Sequence, residues 1–282
     1  MIFLGVFPCF CVASEPSGIE VMLSSRKVAQ GGLEFLSLGL KEGENPKVTW
    51  QGKEVRLVFR PEKNKWQGFL GADLRANPGS YILIVGSVPS GRKRLLALEI
   101  VEKDWGVRRL TLPKKMVDLD AKTIERARKE SKVMKKLWHV PADSPLWRGK
   151  FLKPVPGKVL GPFGRRSVIN NQPRSPHSGV DLRGKKGTPI KATNHGKVIL
   201  VADHFFSGRS VVLNHGGGIQ SMYFHLDDIT VQKDDMIEKG QVIGHMGSTG
   251  RATGPHLHWG IRMNGARVDP ISLTALSRQL EE

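Results

Sequence analysis

Three short groups of residues in the C-terminal half carry side chains that could bind a metal ion or move protons. The first group is His256-Leu257-His258. On a β-strand, residues i and i+2 point to the same face, so both imidazoles would face one site while Leu257 turns to the opposite face. We therefore predict a strand from His256 to Met263 that presents two imidazoles side by side.

The second group is His177 and Asp181, separated by Gly179, where the backbone can bend to bring an imidazole and a carboxylate to one ion. Two histidines and one aspartate make three protein ligands and leave a fourth position for water, as in catalytic zinc sites. The candidates for these three positions are His177, Asp181, His256 and His258. Spacing alone leaves open which histidine is not a ligand.

The third element is His225, at the end of a predicted strand. An imidazole that does not bind the metal can take a proton from the attacking water or stabilise the oxyanion formed during amide hydrolysis. Eight of the nine histidines lie between His177 and His258 inclusive, so this stretch is where we expect the chemistry.

Taken together, these groups resemble the lysostaphin-type (LytM-like) zinc metallopeptidases, over about Phe151 to Leu273. The matching motifs, in chain order, are Phe163–Arg166, His177-x-Gly179-x-Asp181, Tyr223–Leu226 and Gly247–His258. The resemblance is specific because all of these motifs occur in the family's order.

The resemblance implies a role for each of five residues. His177, Asp181 and His258 would bind one Zn²⁺ ion, and His225 with His256 would form a catalytic pair that does not bind the metal. It also implies hydrolysis of peptide bonds in peptidoglycan stem peptides or cross-bridges. None of the five positions is substituted, which favours an enzyme over degenerate relatives that only activate other wall hydrolases.

Two alternative functions remain open from the sequence. One is a non-catalytic envelope factor that binds cell wall or activates another wall hydrolase through the same groove. The other is a zinc hydrolase of a soluble protein. The loops that line the groove decide which bond is cleaved, and the sequence does not identify that bond.

The elements that must position these residues are short, glycine-punctuated strands. They are predicted at Pro189–Ala192, Lys197–Ala202, Ser210–Asn214, Ile219–His225, Gln241–His245 and His256–Met263. Such strands favour a strongly curved antiparallel sheet or barrel with bulges and tight turns, so we predict a metallopeptidase domain over 151–282. We expect Trp259 to pack on the face opposite His258, and His215 to be structural.

The chain before this domain divides into a β-rich region and a helical linker. Six short alternating strands between about Gly18 and Lys103 predict an immunoglobulin-like β-sandwich as an accessory domain over 15–110. They are predicted at Ile19–Leu23, Leu33–Leu38, Lys47–Trp50, Glu54–Phe59, Tyr81–Val85 and Leu95–Val101. A 3.6-residue apolar period between Leu119 and Trp138, with Asp120 as N-cap, predicts a basic helix within a linker over 111–150. The fold class is therefore mainly β.

The first fourteen residues resemble a signal peptide, because they are uncharged and apolar and end in small residues. They lack the usual preceding Lys or Arg. Both cysteines, Cys9 and Cys11, lie inside this segment, so no disulfide is expected after cleavage. This segment predicts export to the periplasm or cell envelope.

The formal net charge of +18 and the sequence pI of about 10.1 predict attraction to polyanions. Nucleic acid is not expected as the partner, because the chain has no basic recognition helix, zinc-finger cysteine pattern or interleaved aromatic RNA motif. Peptidoglycan and an anionic envelope surface are the expected partners. The sequence gives no indication of oligomeric state.

Overall fold

A computed structural model describes residues 18–111, 119–138 and 144–281. The predicted signal peptide at 1–14, with Cys9 and Cys11, lies outside these residues. Among the helices that the structure describes, none is long and apolar enough to cross a membrane.

The described elements run as follows along the chain. The strands are β1 (Glu20–Leu23), β2 (Lys27–Ala29), β3 (Leu33–Gly39), β4 (Asn45–Trp50), β5 (Lys53–Val55), β6 (Val58–Arg60), β7 (Lys65–Gly71), β8 (Gly79–Val88), β9 (Lys93–Val101), β10 (Val107–Leu110), β11 (Val159–Gly161), β12 (Arg166–Ile169), β13 (Gln172–Pro173), β14 (Val180–Arg183), β15 (Pro189–Lys191), β16 (Gly196–His204), β17 (Gly208–Asn214), β18 (Ile219–Ile229), β19 (Met236–Ile237), β20 (Val242–Met246), β21 (His256–Met263) and β22 (Ala266–Val268). The helices are α1 (Ala121–Leu137) and α2 (Pro270–Leu276), with 3-10 turns at Pro61–Lys63 and Ser277–Leu280.

The N-terminal region forms two sheets, with strand orders β1-β3-β7-β6 and β2-β9-β8-β4-β5. Alternating apolar residues of both sheets, such as Leu36, Leu70 and Leu83, meet in one buried core, as a two-sheet sandwich requires. The immunoglobulin-like topology and the boundaries of this accessory domain stay predictions.

Three details of this region differ from the sequence prediction. The strand β7 was not predicted, because Gly68 and Gly71 interrupt its apolar alternation. The single predicted strand Glu54–Phe59 is divided between β5 and β6, which belong to different sheets. Finally, the chain passes from the first sheet to the second between β1 and β2, and β2 pairs there in parallel with β9.

The predicted linker helix is confirmed as α1. The Asp120 side chain caps it by accepting a hydrogen bond from the Thr123 N–H at 2.7 Å. Further along the helix, Glu130 accepts a hydrogen bond from the backbone N–H of Phe205 at 2.8 Å, and Arg126 donates to the Asp203 carbonyl at 3.2 Å. The helix therefore braces the connection between β16 and β17.

The C-terminal region is built on a ten-stranded sheet with the main order β11-β14-β21-β18-β17-β16-β19. All pairs in this sheet are antiparallel, and several contain bulges, as the glycine-punctuated strands predicted. The C-terminal helix α2 was not predicted, although Asp269 caps its N-terminus. The parallel pairing of β10 with β12 was also not predicted, and it ties the end of the predicted accessory domain to this region.

The two regions share apolar and polar contacts. Phe35 and Phe69 of the sandwich belong to the same buried cluster as Phe151 of the C-terminal region. Both Asp73 carboxylate oxygens pair with the Arg267 side chain, and the Asp73 Oδ2 also accepts from the Arg267 N–H at 2.8 Å. The sandwich therefore supports β22 at the edge of the sheet that carries the site.

Candidate metal centre

Strand pairing brings the aspartate of one motif to a histidine of another. In the antiparallel pair of β14 and β21, Asp181 lies opposite His258 and Arg183 lies opposite His256. Directly opposed residues on one face of such a pair have Cβ atoms about 5 Å apart. His256 and His258 lie on one face, as their i, i+2 spacing predicted.

His177 precedes β14 and is fixed by three hydrogen bonds. Its backbone N–H donates to the Arg165 carbonyl at 3.0 Å, and its carbonyl accepts from the Gly164 N–H at 2.8 Å. Its ring Nδ1 lies 2.9 Å from the Pro162 carbonyl oxygen. Since a carbonyl only accepts, Nδ1 carries a proton, and in the neutral ring that a metal ion would bind, Nε2 presents the lone pair.

Three potential ligand atoms converge at the site. The Nε2 atom of His177 lies 3.1 Å from Asp181 Oδ1 and 3.0 Å from His258 Nδ1, and these last two atoms are 3.0 Å apart. An ion bound tetrahedrally at zinc distances would separate such atoms by about 3.3 Å. The three residues fit a divalent metal, since two imidazoles and a carboxylate already lie near those separations.

Two glycines make room for this cluster. A Cβ atom at Gly161 would lie 2.3 Å from Asp181 Oδ2, and one at Gly179 would lie 2.7 Å from His258 Nε2. Real side chains do not tolerate such separations. The ligand geometry therefore depends on backbone that passes very close to Asp181 and His258.

The charges of the cluster act on one another. Burial alone would raise the pKa of Asp181, but hydrogen bonds from His177 and His258 hold that pKa well below its usual range. Burial opposes protonation of His177, yet the hydrogen bond and charge of Asp181 outweigh it and raise its pKa. Burial lowers the pKa of His258. Asp181 is therefore an anion that can be a metal ligand.

His225 lies in an irregular part of β18 and has a left-handed backbone, with φ of +67°. Its Nδ1 lies 2.8 Å from the Thr249 carbonyl oxygen, so Nδ1 donates and Nε2 is free to accept a proton. Burial lowers the pKa of His225 to about 4. A left-handed residue other than glycine is strained, and such strain concentrates at functional sites.

His256 is held in a similar way. Its Nδ1 lies 2.8 Å from the Gly254 carbonyl oxygen, and its Nε2 is 3.8 Å from Asp181 Oδ1. The centres of the His225 and His256 rings are 4.8 Å apart. The structure therefore brings together all five residues that the sequence singled out, with two imidazoles beside the three potential ligands.

Aromatic side chains support and border this cluster. Phe224 stacks on the His258 ring, with centres 5.4 Å apart and planes 6° apart. Trp259 is fully buried on the opposite face of the sheet, as predicted. Next to the site, the guanidinium of Arg251 lies 4.3 Å from the centre of the Phe206 ring, on the loop that α1 braces.

His215 has the structural environment that the sequence predicted. It is fully buried, with Nδ1 2.6 Å from the His195 carbonyl oxygen and Nε2 2.7 Å from the Ser221 hydroxyl. The Ser221 hydroxyl in turn lies 3.0 Å from that of Tyr223, which accepts from the Thr193 N–H at 2.9 Å. Burial lowers the pKa of His215 to about 4, so the ring is neutral.

Sequence reasoning missed the backbone carbonyls that orient the histidines. The carbonyls of Pro162, Thr249 and Gly254 each fix one ring. A carbonyl is common to every residue type, so no residue pattern points to them directly. The only indirect signal was the density of proline and glycine around these positions.

Comparisons with known proteins agree with this geometry. The model of peptidase family M23 matches residues 175–270, which include all five site residues. A crystal structure of an M23 peptidase from Pseudomonas aeruginosa is 33% identical, with a TM-score of 0.70, over 88% of this chain and 95% of that chain. The chain belongs to peptidase family M23. The lysostaphin-type resemblance is thereby confirmed.

Two curated relatives match the M23 part of the chain. The DD-carboxypeptidase/endopeptidase Mpg of Neisseria meningitidis is 34% identical over 44% of this chain and 29% of that protein. The peptidoglycan DD-endopeptidase ShyB of Vibrio cholerae is 40% identical over 34% of this chain and 22% of that protein. The matched segments therefore span less than a third of either relative.

Proposed function

We propose that this protein is a zinc-dependent endopeptidase that hydrolyses peptide bonds in peptidoglycan stem peptides or cross-bridges. The observation that carries the proposal is the convergence of His177 Nε2, Asp181 Oδ1 and His258 Nδ1 within 3.0 to 3.1 Å of one another. Membership of family M23 and the names of the two curated relatives support the same activity and substrate.

Zinc is the metal that this donor set favours. Three ligands of the imidazole and carboxylate type leave a fourth position open, which is the composition of catalytic zinc sites. When bound, one zinc ion would supply Lewis acidity that activates water and polarises the scissile carbonyl. The His177 Nδ1–H bond to Pro162 keeps Nε2 available as a ligand atom.

We assign proton transfer to His225 and His256. Each ring donates Nδ1–H to a backbone carbonyl, so each Nε2 has a lone pair that can receive a proton from the attacking water. The same nitrogen can then deliver that proton to the departing amine. Fixed carbonyl partners hold both rings in one tautomer and orientation, which spares them reorganisation during the reaction.

The substrate and the location are supported by chemistry and by relatives. Peptidoglycan is a polymer of the cell envelope, so the proposed activity requires export, to the periplasm or envelope, as the apolar N-terminal sequence predicts. The net charge of +18 favours an anionic wall or envelope surface.

The decisive experiment is digestion of purified sacculi by the zinc-loaded protein, with mass spectrometry of the released fragments. We expect muropeptides cut at one type of peptide bond, and no release by Asp181→Ala. Intact sacculi after treatment with zinc-loaded protein would overturn the enzymatic proposal and favour the non-catalytic envelope factor.

A further inference from the structure

A strongly basic pocket lies between the sandwich, the segment that follows β9, and the start of the C-terminal region around β12 and β13. We call it the junction pocket; its volume is about 350 Å³, and its lining includes Arg75, Lys103, Trp105, Gly164, Arg166 and Arg174. Its lining contains no acidic residue among those that the structure describes. The pocket is large enough for part of a small ligand.

The four cations of the junction pocket have no anionic partner. In the described part of the chain, none of Arg75, Lys103, Arg166 or Arg174 forms a salt bridge. The neighbouring carboxylate of Asp73 is committed to Arg267, and that of Asp104 accepts from the Gly106 N–H. Like charges gathered in a concave surface repel one another and attract an anion.

One wall of the pocket is rigid. The indole N–H of Trp105 donates to the Gln30 carbonyl at 3.1 Å, and the edge of its ring packs on Phe163. Lys103 Nζ lies 3.9 Å from the centre of the same indole. A Cβ at Gly164 would lie 2.3 Å from this ring, and Gly164 has φ of +76°, so only glycine allows so close a contact.

The junction pocket adjoins the metal centre through one loop. Gly164, in the pocket wall, donates its N–H to the carbonyl of His177, and Pro176, also in the lining, is the residue before His177. On the side of the site, burial and, to a smaller extent, the like charge of Arg174 lower the pKa of Arg251, which lies on the Phe206 ring. Positive charge therefore continues from the pocket towards the loop that borders the site.

We propose that the junction pocket binds a carboxylate of the peptide substrate, so that residues of the sandwich and of the C-terminal region recognise it together. This inference rests on the proposed function, because the ligand is assigned from the peptidase centre beside the pocket. Peptidoglycan stem peptides carry free carboxylates, and arginine pairs with a carboxylate through two parallel hydrogen bonds. Arg75 and Arg174 hold the ligand from the two sides of the junction.

The test compares two double variants of the full-length, zinc-loaded protein. Arg75→Gln with Arg174→Gln removes one cation from each side of the pocket, and both residues are exposed, so the fold should be retained. The control is Arg26→Gln with Arg278→Gln, which removes the same charge from exposed residues that do not line the pocket. Zinc content and circular dichroism establish that all proteins are intact.

The substrate is a dimeric muropeptide, used with its carboxylates free or amidated. For the pocket variant we expect KM to rise about 10-fold with kcat within about twofold, and no change in the control. Amidation of the substrate should raise the KM of the wild type by a similar factor, and it should raise the KM of the pocket variant much less. Equal losses in both double variants, or a full amidation effect in the pocket variant, would overturn the proposal.

A separate binding measurement distinguishes failure of this inference from failure of the proposed function. Metal-free protein is titrated with the same free and amidated dimers, so binding is read without hydrolysis. If the wild type cleaves no wall peptide yet loses affinity on amidation or in the pocket variant, the pocket assignment stands without the activity. If inorganic phosphate competes and amidation has no effect, the pocket takes phosphate and the carboxylate assignment is wrong.

Discussion

The histidines of the candidate metal centre and the buried His215 have opposite environments. Each of His177, His225 and His256 commits Nδ1 to a backbone carbonyl and leaves Nε2 facing the site. His215 commits both of its nitrogens, one to a carbonyl and one to the Ser221 hydroxyl. One anchored nitrogen gives a ring that is oriented and still reactive, while two anchored nitrogens give a ring that only stabilises the fold.

The largest expected effect is on the ligand set. Asp181→Ala removes the anion between two imidazoles, so the protein should lose stoichiometric zinc and at least about 1000-fold in hydrolysis. Metal analysis after dialysis and a sacculus digestion assay measure both. His245→Ala, a histidine outside the site, is the control and should retain zinc and activity; zinc retained by Asp181→Ala would contradict the assigned ligands.

The next effect separates proton transfer from metal binding. His225→Ala and His256→Ala should each lower kcat by about 10² to 10⁴-fold, because each removes an oriented Nε2 near the site. Zinc content should stay at the wild-type level in both. Loss of zinc from His256→Ala would instead make His256 a ligand and reopen the choice between His256 and His258.

A smaller effect is expected from the backbone that makes room for the ligands. Gly161→Ala places a Cβ against the Asp181 carboxylate and should weaken zinc affinity by about 10 to 100-fold, measured by competition with a chelator. Gly254→Ala is the matched control, because a Cβ there meets no atom within 4 Å. Equal zinc affinities in the two variants would mean that the Asp181 carboxylate can move aside without weakening zinc binding.

His215→Ala should leave zinc content and kcat per folded molecule unchanged. It removes two buried hydrogen bonds and leaves a cavity, so the free energy of unfolding should fall by about 2 to 4 kcal/mol, measured in urea. His245→Ala should change it by less than about 1 kcal/mol, because the His245 pair with Asp228 is partly exposed. A drop in zinc content with unchanged stability would mean that His215 supports the metal centre, and the structural role assigned to it would be wrong.

The stability contributed by His215 should also depend on pH. Its pKa falls from 6.5 to about 4 on folding, so the unfolded chain takes up a proton first as the pH falls. The contribution is fully present above about pH 6.5 and decreases towards pH 4, by about 3 kcal/mol. Urea unfolding of wild type and His215→Ala across this range should show that difference, and a constant difference would contradict a buried neutral His215.

The sequence was sufficient for the parts of the site that depend on side-chain type and strand period. The two-residue period of β21 predicted that His256 and His258 share a face with Trp259 behind them. Most strands of the C-terminal sheet were predicted for the same reason. The assignment of His258 as ligand and His256 as catalytic came from the family resemblance and stays a proposal.

The sequence was insufficient where non-local pairing decides. The strand β14 was not predicted, so the register that places Asp181 opposite His258 could not be derived. The junction pocket depends on Arg75 and Arg174, which are 99 positions apart and meet only because the sandwich packs on the sheet. Charge and spacing along the chain do not predict such long-range contacts.

The left-handed backbone at His225 implies a conflict between durability and chemistry at one position. A glycine there would adopt φ of +67° without strain, but His225→Gly would also remove a buried imidazole and its hydrogen bond to the Thr249 carbonyl. Under the proposed mechanism, this strained backbone is what orients the His225 ring so that its Nε2 faces the metal centre.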